Sequence, residues 1–219
     1  MAQRLGGEAV GCFFLFATVI GSGIMAERLA GGNVAMTLLC NTLATGAILF
    51  VLITILGPIS GAHFNPVVTM VARLCGEIEA GSALLYITAQ LAGGVLGVWA
   101  SHAMFDLAII QLSERIRTGP GQWIGEGVAT FGLVFTILGT SKSRPRMAPA
   151  TVALYICAAY WFTSSTSFAN PAITIARSMS NSFAGISPLS LFGFIASQFL
   201  GALLAYQAGK ALFANAPAE

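Results

Sequence analysis

From Leu29 to Ala72 the chain runs 44 residues without an Asp, Glu, Lys or Arg, and inside that run stand Gly57, Pro58, Gly61 and an Asn65-Pro66 pair. A charge-free stretch of that length is twice what one transmembrane helix needs, and its glycines and prolines break it. Asn33 to Leu56 suffices for one full span, so Asn65 to Leu74 is left as half a span. Further uncharged runs cover Ala9–Ala26, Ala80–Phe105, Gly127–Ser141, Met147–Ala176 and Ser178–Gly209. The run from Met147 repeats the pattern: a helix to about Thr166, a break near Pro171, then a short apolar helix from Asn170 to about Met179. Only 8% of the 219 residues are charged against about a quarter in soluble domains, which excludes a soluble enzyme, a nucleic-acid binder and a disordered scaffold. About six or seven spans fit the length, with no room for a separate catalytic domain.

Half-helices at membrane depth require burial of their ends in protein or contact with water. An internal repeat explains them. Gly7-Glu8-Ala9-Val10 aligns with Gly125-Glu126-Gly127-Val128, which sets Phe13, Leu15, Thr18 and Gly21 opposite Phe131, Leu133, Thr136 and Gly139. Asn65-Pro66-Val67 and Thr69 match Asn170-Pro171-Ala172 and Thr174; Gln90, Gly93, Leu96 and Phe105 match Gln198, Gly201, Leu204 and Phe213. Each half reads as helix, helix, half-helix, helix, so the fold expected is an all-α membrane protein of six transmembrane helices and two half-helices. The repeats cover about residues 5–110 and 121–214 of one domain, 1–219. Three full spans per repeat is odd, so the second half enters from the opposite face and the repeats are inverted.

With a cytoplasmic N-terminus the inside holds Arg4, Arg73, Lys142, Arg144, Arg146 and Lys210, and the outside holds Arg28, Arg115, Arg117 and Arg177. The short Lys142-to-Arg146 loop favours this orientation, with both termini inside and the protein in the inner (plasma) membrane. Arg4 ahead of an apolar run resembles a signal peptide, but Glu8 interrupts the run and no small-x-small cleavage site follows, so it reads as the first span. Cys12, Cys40, Cys75 and Cys157 lie far apart in apolar surroundings and read as buried free thiols, with no metal or cofactor site among them.

Asn followed by Pro is a helix start, because Asn caps and Pro lacks an N–H that would go unpaired. Two such starts brought from opposite faces meet near the midplane. Their dipoles repel cations, and the Asn65 and Asn170 carboxamides can donate hydrogen bonds to a neutral solute.

The chain resembles the aquaporin and aquaglyceroporin superfamily over its whole length. Ser60-Gly61-Ala62-His63-Phe64-Asn65-Pro66-Val67 is similar to the first NPA loop, and Phe168-Ala169-Asn170-Pro171-Ala172 to the second. Glu8 and Glu126 fall where that family has glutamates. Selectivity in such pores comes from diameter, lining donors and half-helix dipoles. The resemblance implies a homotetramer with one pore per subunit and no cofactor.

It also implies a selectivity filter at Thr45, Ala158, Ser167 and Ile173. The family's usual arginine, three residues after the second Asn, is Ile173 here, and small Thr45 and Ala158 are expected to widen the constriction. Asn170-Pro171-Ala172-Ile173-Thr174-Ile175-Ala176-Arg177, with Tyr160-Trp161-Phe162-Thr163 before it, most resembles the bacterial branch associated with arsenic resistance. The implied permeants are methylated arsenicals and arsenite, with glycerol-like solutes and some water.

Arg177 lies one helical turn beyond Ile173. It either hangs over the outer mouth and attracts weakly acidic or anionic solutes, or snorkels to the interface or pairs with a loop carboxylate. His63 is expected in the inner vestibule and His102 in a packing or hydrogen-bonding role. Glu8 and Glu126 read as acceptors that hold the half-helix loops, the alternative being proton carriers. Gly7/Gly11, Gly93/Gly97 and Gly121/Gly125 carry the small-x-x-x-small spacing of close helix crossings. The partners expected are a small-molecule permeant and the bilayer, with no nucleic acid. Competing readings are an ordinary water or glycerol channel, an ion-coupled secondary transporter, and an intramembrane hydrolase. The spans offer the transporter no titratable midplane group and the hydrolase no Ser/His, paired-carboxylate or His-x-x-x-His arrangement.

Overall fold

The computed structural model describes residues 1–213; the expected end of the second repeat near residue 214 and the C-terminus fall outside the described residues. Among the described residues eight α-helices follow in order: α1 (Ala2–Leu29), α2 (Val34–Ser60), α3 (Pro66–Leu74), α4 (Ala80–Met104), α5 (Pro120–Ser143), α6 (Ala148–Phe162), α7 (Pro171–Arg177) and α8 (Leu191–Phe213). Helices α1, α2, α4, α5 and α8 are long and apolar enough to cross a membrane. At 15 residues α6 is shorter, and a 3₁₀ turn at Pro145–Met147 leads into it. The two half-helices are α3 and α7, at the repeat-matched positions.

Two boundaries differ from expectation. Helix α2 does not stop at Leu56 but carries Pro58 inside it to Ser60. Proline there removes one ladder bond near the helix end, and Gly61 terminates the helix with φ +88° and its N–H on the Gly57 carbonyl. Helix α6 ends at Phe162 instead of Thr166, so a turn and irregular backbone lead to Asn170.

Glycine sets the helix crossings in both repeats. A methyl built on Gly93 or Gly97 of α4 would collide with the Ala9 or Phe13 carbonyl of α1, and one on Gly201 of α8 with the Gly127 carbonyl of α5. The repeat also equates Gly21 and Phe105 with Gly139 and Phe213. In space the first ring stands 3.3 Å from a methyl built on Gly21, and the second 2.9 Å from one built on Gly139. The halves join where α2 packs on α6, with the Cys157 sulfur filling the space that Gly46 leaves open. Cys12 is buried, but Cys40 and Cys75 are exposed and Cys157 is half-buried, so the expectation of four buried thiols holds for Cys12 alone.

Candidate functional site

The half-helices meet tip to tip through their asparagines. Asn65 and Asn170 are both extended, with φ −156° and −157°, and cap their own helices: Asn65 Oδ1 accepts from Val67 N at 3.0 Å, and Asn170 Oδ1 from Ala172 N at 3.0 Å and Ile173 N at 3.3 Å. Caps on backbone N–H groups fix each carboxamide with its nitrogen turned away from its own helix. Asn65 Nδ2 then donates to the Ala169 carbonyl at 2.8 Å, and Asn170 Nδ2 to the Phe64 carbonyl at 2.8 Å. Each amide carries a second N–H, and both residues line the central cavity.

Glu8 and Glu126 hold the loops that present these asparagines. Glu8 accepts from Ser60 Oγ at 2.7 Å, His63 N at 3.0 Å, Phe64 N at 2.8 Å and Gln90 Nε2 at 2.8 Å. Glu126 accepts from Phe168 N at 2.8 Å, Ala169 N at 2.9 Å and Gln198 Nε2 at 2.6 Å. The same glutamines donate onward to the Thr69 and Thr174 hydroxyls, which in turn donate to the Asn65 and Asn170 carbonyls. In the loops that turn these N–H groups toward the carboxylates, Ala62, Phe64, Ser167 and Ala169 take φ values of 48° to 52°. That region costs a non-glycine residue about 1–2 kcal/mol, and the carboxylate bonds offset it.

A cavity of about 260 Å³ runs past these tips. Leu15, Val19, Leu49, Val152, Ile156 and Ile173 supply apolar lining. Polar groups come from Thr45, His63, Asn65, Tyr160, Ser167 and Asn170, with Arg177 beyond. His63 Nδ1 is 3.0 Å from Thr69 Oγ1. Pro66, Val67, Pro171 and Ala172 are buried in the half-helix starts; Val67, at the place of the usual alanine, packs with Val134, Ala202 and Ala205. His102 is buried against the Ile109 carbonyl and the Ser180 hydroxyl.

Ala158 is not among the cavity residues, which corrects the expected fifth-span filter position. It is exposed on the outward face of α6 with Leu154 and Phe162. Helix α6 ends at Phe162 and turns Val152, Ile156 and Tyr160 inward at helical spacing, which leaves Ala158 on the other side. Tyr160 therefore occupies the place expected of a small residue, its hydroxyl 3.3 Å from Thr45 Oγ1. The fourfold spacing from Val152 was the signal that could have found it.

Arg177 lines the cavity and is buried instead of snorkelling, and among the described residues no carboxylate pairs with it. It is 2% exposed, its Nε donates to the Ala184 carbonyl, and its guanidinium carbon lies 3.3 Å from the Phe168 ring centroid. Arg117, in the loop before α5, reaches the same ring at 5.2 Å and donates to the Gly185 and Phe183 carbonyls. Burial, and then neighbouring Arg115, pull its guanidinium down to about 10.

Residues 1–167 match the family model described as Major intrinsic protein. Aquaglyceroporin AqpS of Rhizobium meliloti (strain 1021) is 51% identical over 94% of this chain and 88% of that protein. The chain belongs to the major intrinsic protein family. This major intrinsic protein is accordingly a multi-pass transmembrane solute channel and not an enzyme. A probable NIP-type aquaporin of Nicotiana alata is 33% identical over 64% of this chain and 51% of that protein. In fold, the channel superposes on the X-ray structure of the aquaglyceroporin from Plasmodium falciparum with TM-score 0.72, covering 96% of both chains at 19% identity.

Proposed function

We propose that the channel passively conducts small hydroxylated solutes without net charge: glycerol-like polyols, arsenite in its neutral trihydroxide form and methylated arsenicals, with some water. The observation that carries this reading is Ile173, an apolar residue lining the cavity where related pores usually place an arginine. An apolar lining interrupted by Thr45, Tyr160, Ser167 and the two asparagine amides suits a molecule that carries both carbon and hydroxyls. The relative named an aquaglyceroporin supports the same class. Tyr160 narrows the passage relative to a pore with alanine there, which favours glycerol-sized permeants over bulkier ones.

In this reading Asn65 and Asn170 donate to the passing solute, His63 lines the inner vestibule, and Glu8 and Glu126 support the loops. The chain forms one channel domain, with repeats at about 5–110 and 121–214, assembled as a homotetramer in the inner membrane with cytoplasmic termini. Stopped-flow swelling of proteoliposomes against water, glycerol, arsenite and a five-carbon polyol tests it. Uncoupler-insensitive flux of glycerol and arsenite along their gradients is the expected result. Water flux alone would return the protein to the ordinary water channels, and accumulation against a gradient would make it a coupled transporter.

A further inference from the structure

Three buried charged side chains surround the pathway, and two have their polar atoms filled. The Glu8 and Glu126 oxygens are taken by loop N–H groups and a glutamine each. Arg177 differs. Only its Nε has an acceptor, the Ala184 carbonyl; among the described residues no carboxylate pairs with it and no protein acceptor meets its two terminal amino groups. The Phe168 ring face offsets part of the charge. A buried ion with no carboxylate in contact is otherwise expensive; Arg117 on the same ring adds a like charge, and Glu126 attracts only from a distance.

Ser167 offers a second unsatisfied group in the same cavity. It is 3% exposed, its Oγ has no hydrogen-bond partner among the described residues, and it precedes the Phe168 on which the guanidinium rests. A hydroxyl and a planar fork of N–H donors, held rigid by a ring and a carbonyl, match the oxygens of one small oxyanion.

We propose that Arg177 and Ser167 form an oxyanion subsite at the α7 end of the pathway, which holds the monoanion of a weak oxyacid and gives such solutes precedence over plain polyols. The subsite rests on the channel reading above. Its cation comes from one turn beyond Ile173, so it supplies charge without crowding the level of Thr45 and Tyr160. An anion lodged there stands in the path of neutral solutes and competes with them.

Glycerol swelling of proteoliposomes is measured in methanesulfonate, which stays ionised at neutral pH, and in chloride at equal ionic strength. Methanesulfonate is expected to halve wild-type glycerol flux, to lose its effect in Arg177→Gln, and to regain part of it in Arg177→Lys. Among the described residues the Ser167 hydroxyl has no partner to lose, so Ser167→Ala tests the idea even if Arg177→Gln fails to fold; weakened inhibition is expected. Wild-type flux that ignores methanesulfonate, or equal inhibition in wild type, Ser167→Ala and every folded Arg177 variant, would overturn the subsite. Absence of wild-type glycerol flux would instead overturn the proposed permeant class.

Discussion

Tyr160 Oη lies 3.3 Å from Thr45 Oγ1, joining α6 to α2 through a pair of buried hydroxyls in the lining of the pathway. Because one partner is an aromatic ring, the width at this level depends on a side chain and not on backbone approach. Tyr160→Ala should therefore raise flux of a five-carbon polyol several-fold relative to glycerol, while Tyr160→Phe, which keeps the ring, should leave the size cut-off in place. An unchanged polyol-to-glycerol ratio in Tyr160→Ala would move the constriction elsewhere.

Glu126 accepts from two consecutive backbone N–H groups, and a glutamine there would turn an NH₂ toward one of them. Losing such a bond inside the protein costs about 2–4 kcal/mol. Glu126→Gln, and likewise Glu8→Gln, should lower the thermal unfolding midpoint of the purified channel clearly, with flux per folded channel falling as the asparagine loops loosen. If either glutamate carried protons in transport, its glutamine variant would keep its midpoint and lose only a pH response.

Much of this was legible in the chain. The paired Asn-Pro starts and the Glu8/Glu126 register located both half-helices, because caps and repeats are local patterns. Gly93 and Gly97 marked a true close crossing, yet Gly121, with the same spacing to Gly125, has nothing within 4 Å of a methyl built on it. Spacing alone cannot say which helix face meets a neighbour. Tyr160 was missed because its place depends on the length of the loop from Thr163 to Asn170, and Arg177's tether because it joins α7 to a later loop. Long-range contacts of that kind leave no periodic trace.

The glycine contrast is itself a test. Gly93→Ala and Gly201→Ala each drive a methyl into a carbonyl of the partner helix, a backbone atom that cannot rotate aside. Overpacking of this sort costs about 1–3 kcal/mol. Both variants should unfold at lower temperature, whereas Gly121→Ala and Gly81→Ala, which meet open space, should match or slightly exceed wild type through better helix propensity. Equal behaviour of the two sets would mean that α1–α4 and α5–α8 do not cross as closely as described.

Ile173 is 5% exposed, lines the cavity, and stands one turn before Arg177 on α7. An arginine introduced there gains room only by extending into the pathway, since its neighbours Ala172, Thr174 and Ala176 are buried and like charge at Arg177 pushes it the same way. Ile173→Arg is thus expected to cut glycerol and arsenite flux more than water flux, shifting the channel toward a water-selective one. Water needs the smallest opening and gains two strong donors; a polyol loses apolar lining on which its carbons slide. Swelling assays on folded protein, comparing the water-to-glycerol permeability ratio before and after substitution, decide the matter. A ratio that stays level while both fluxes fall would show that Ile173 fills space without setting selectivity.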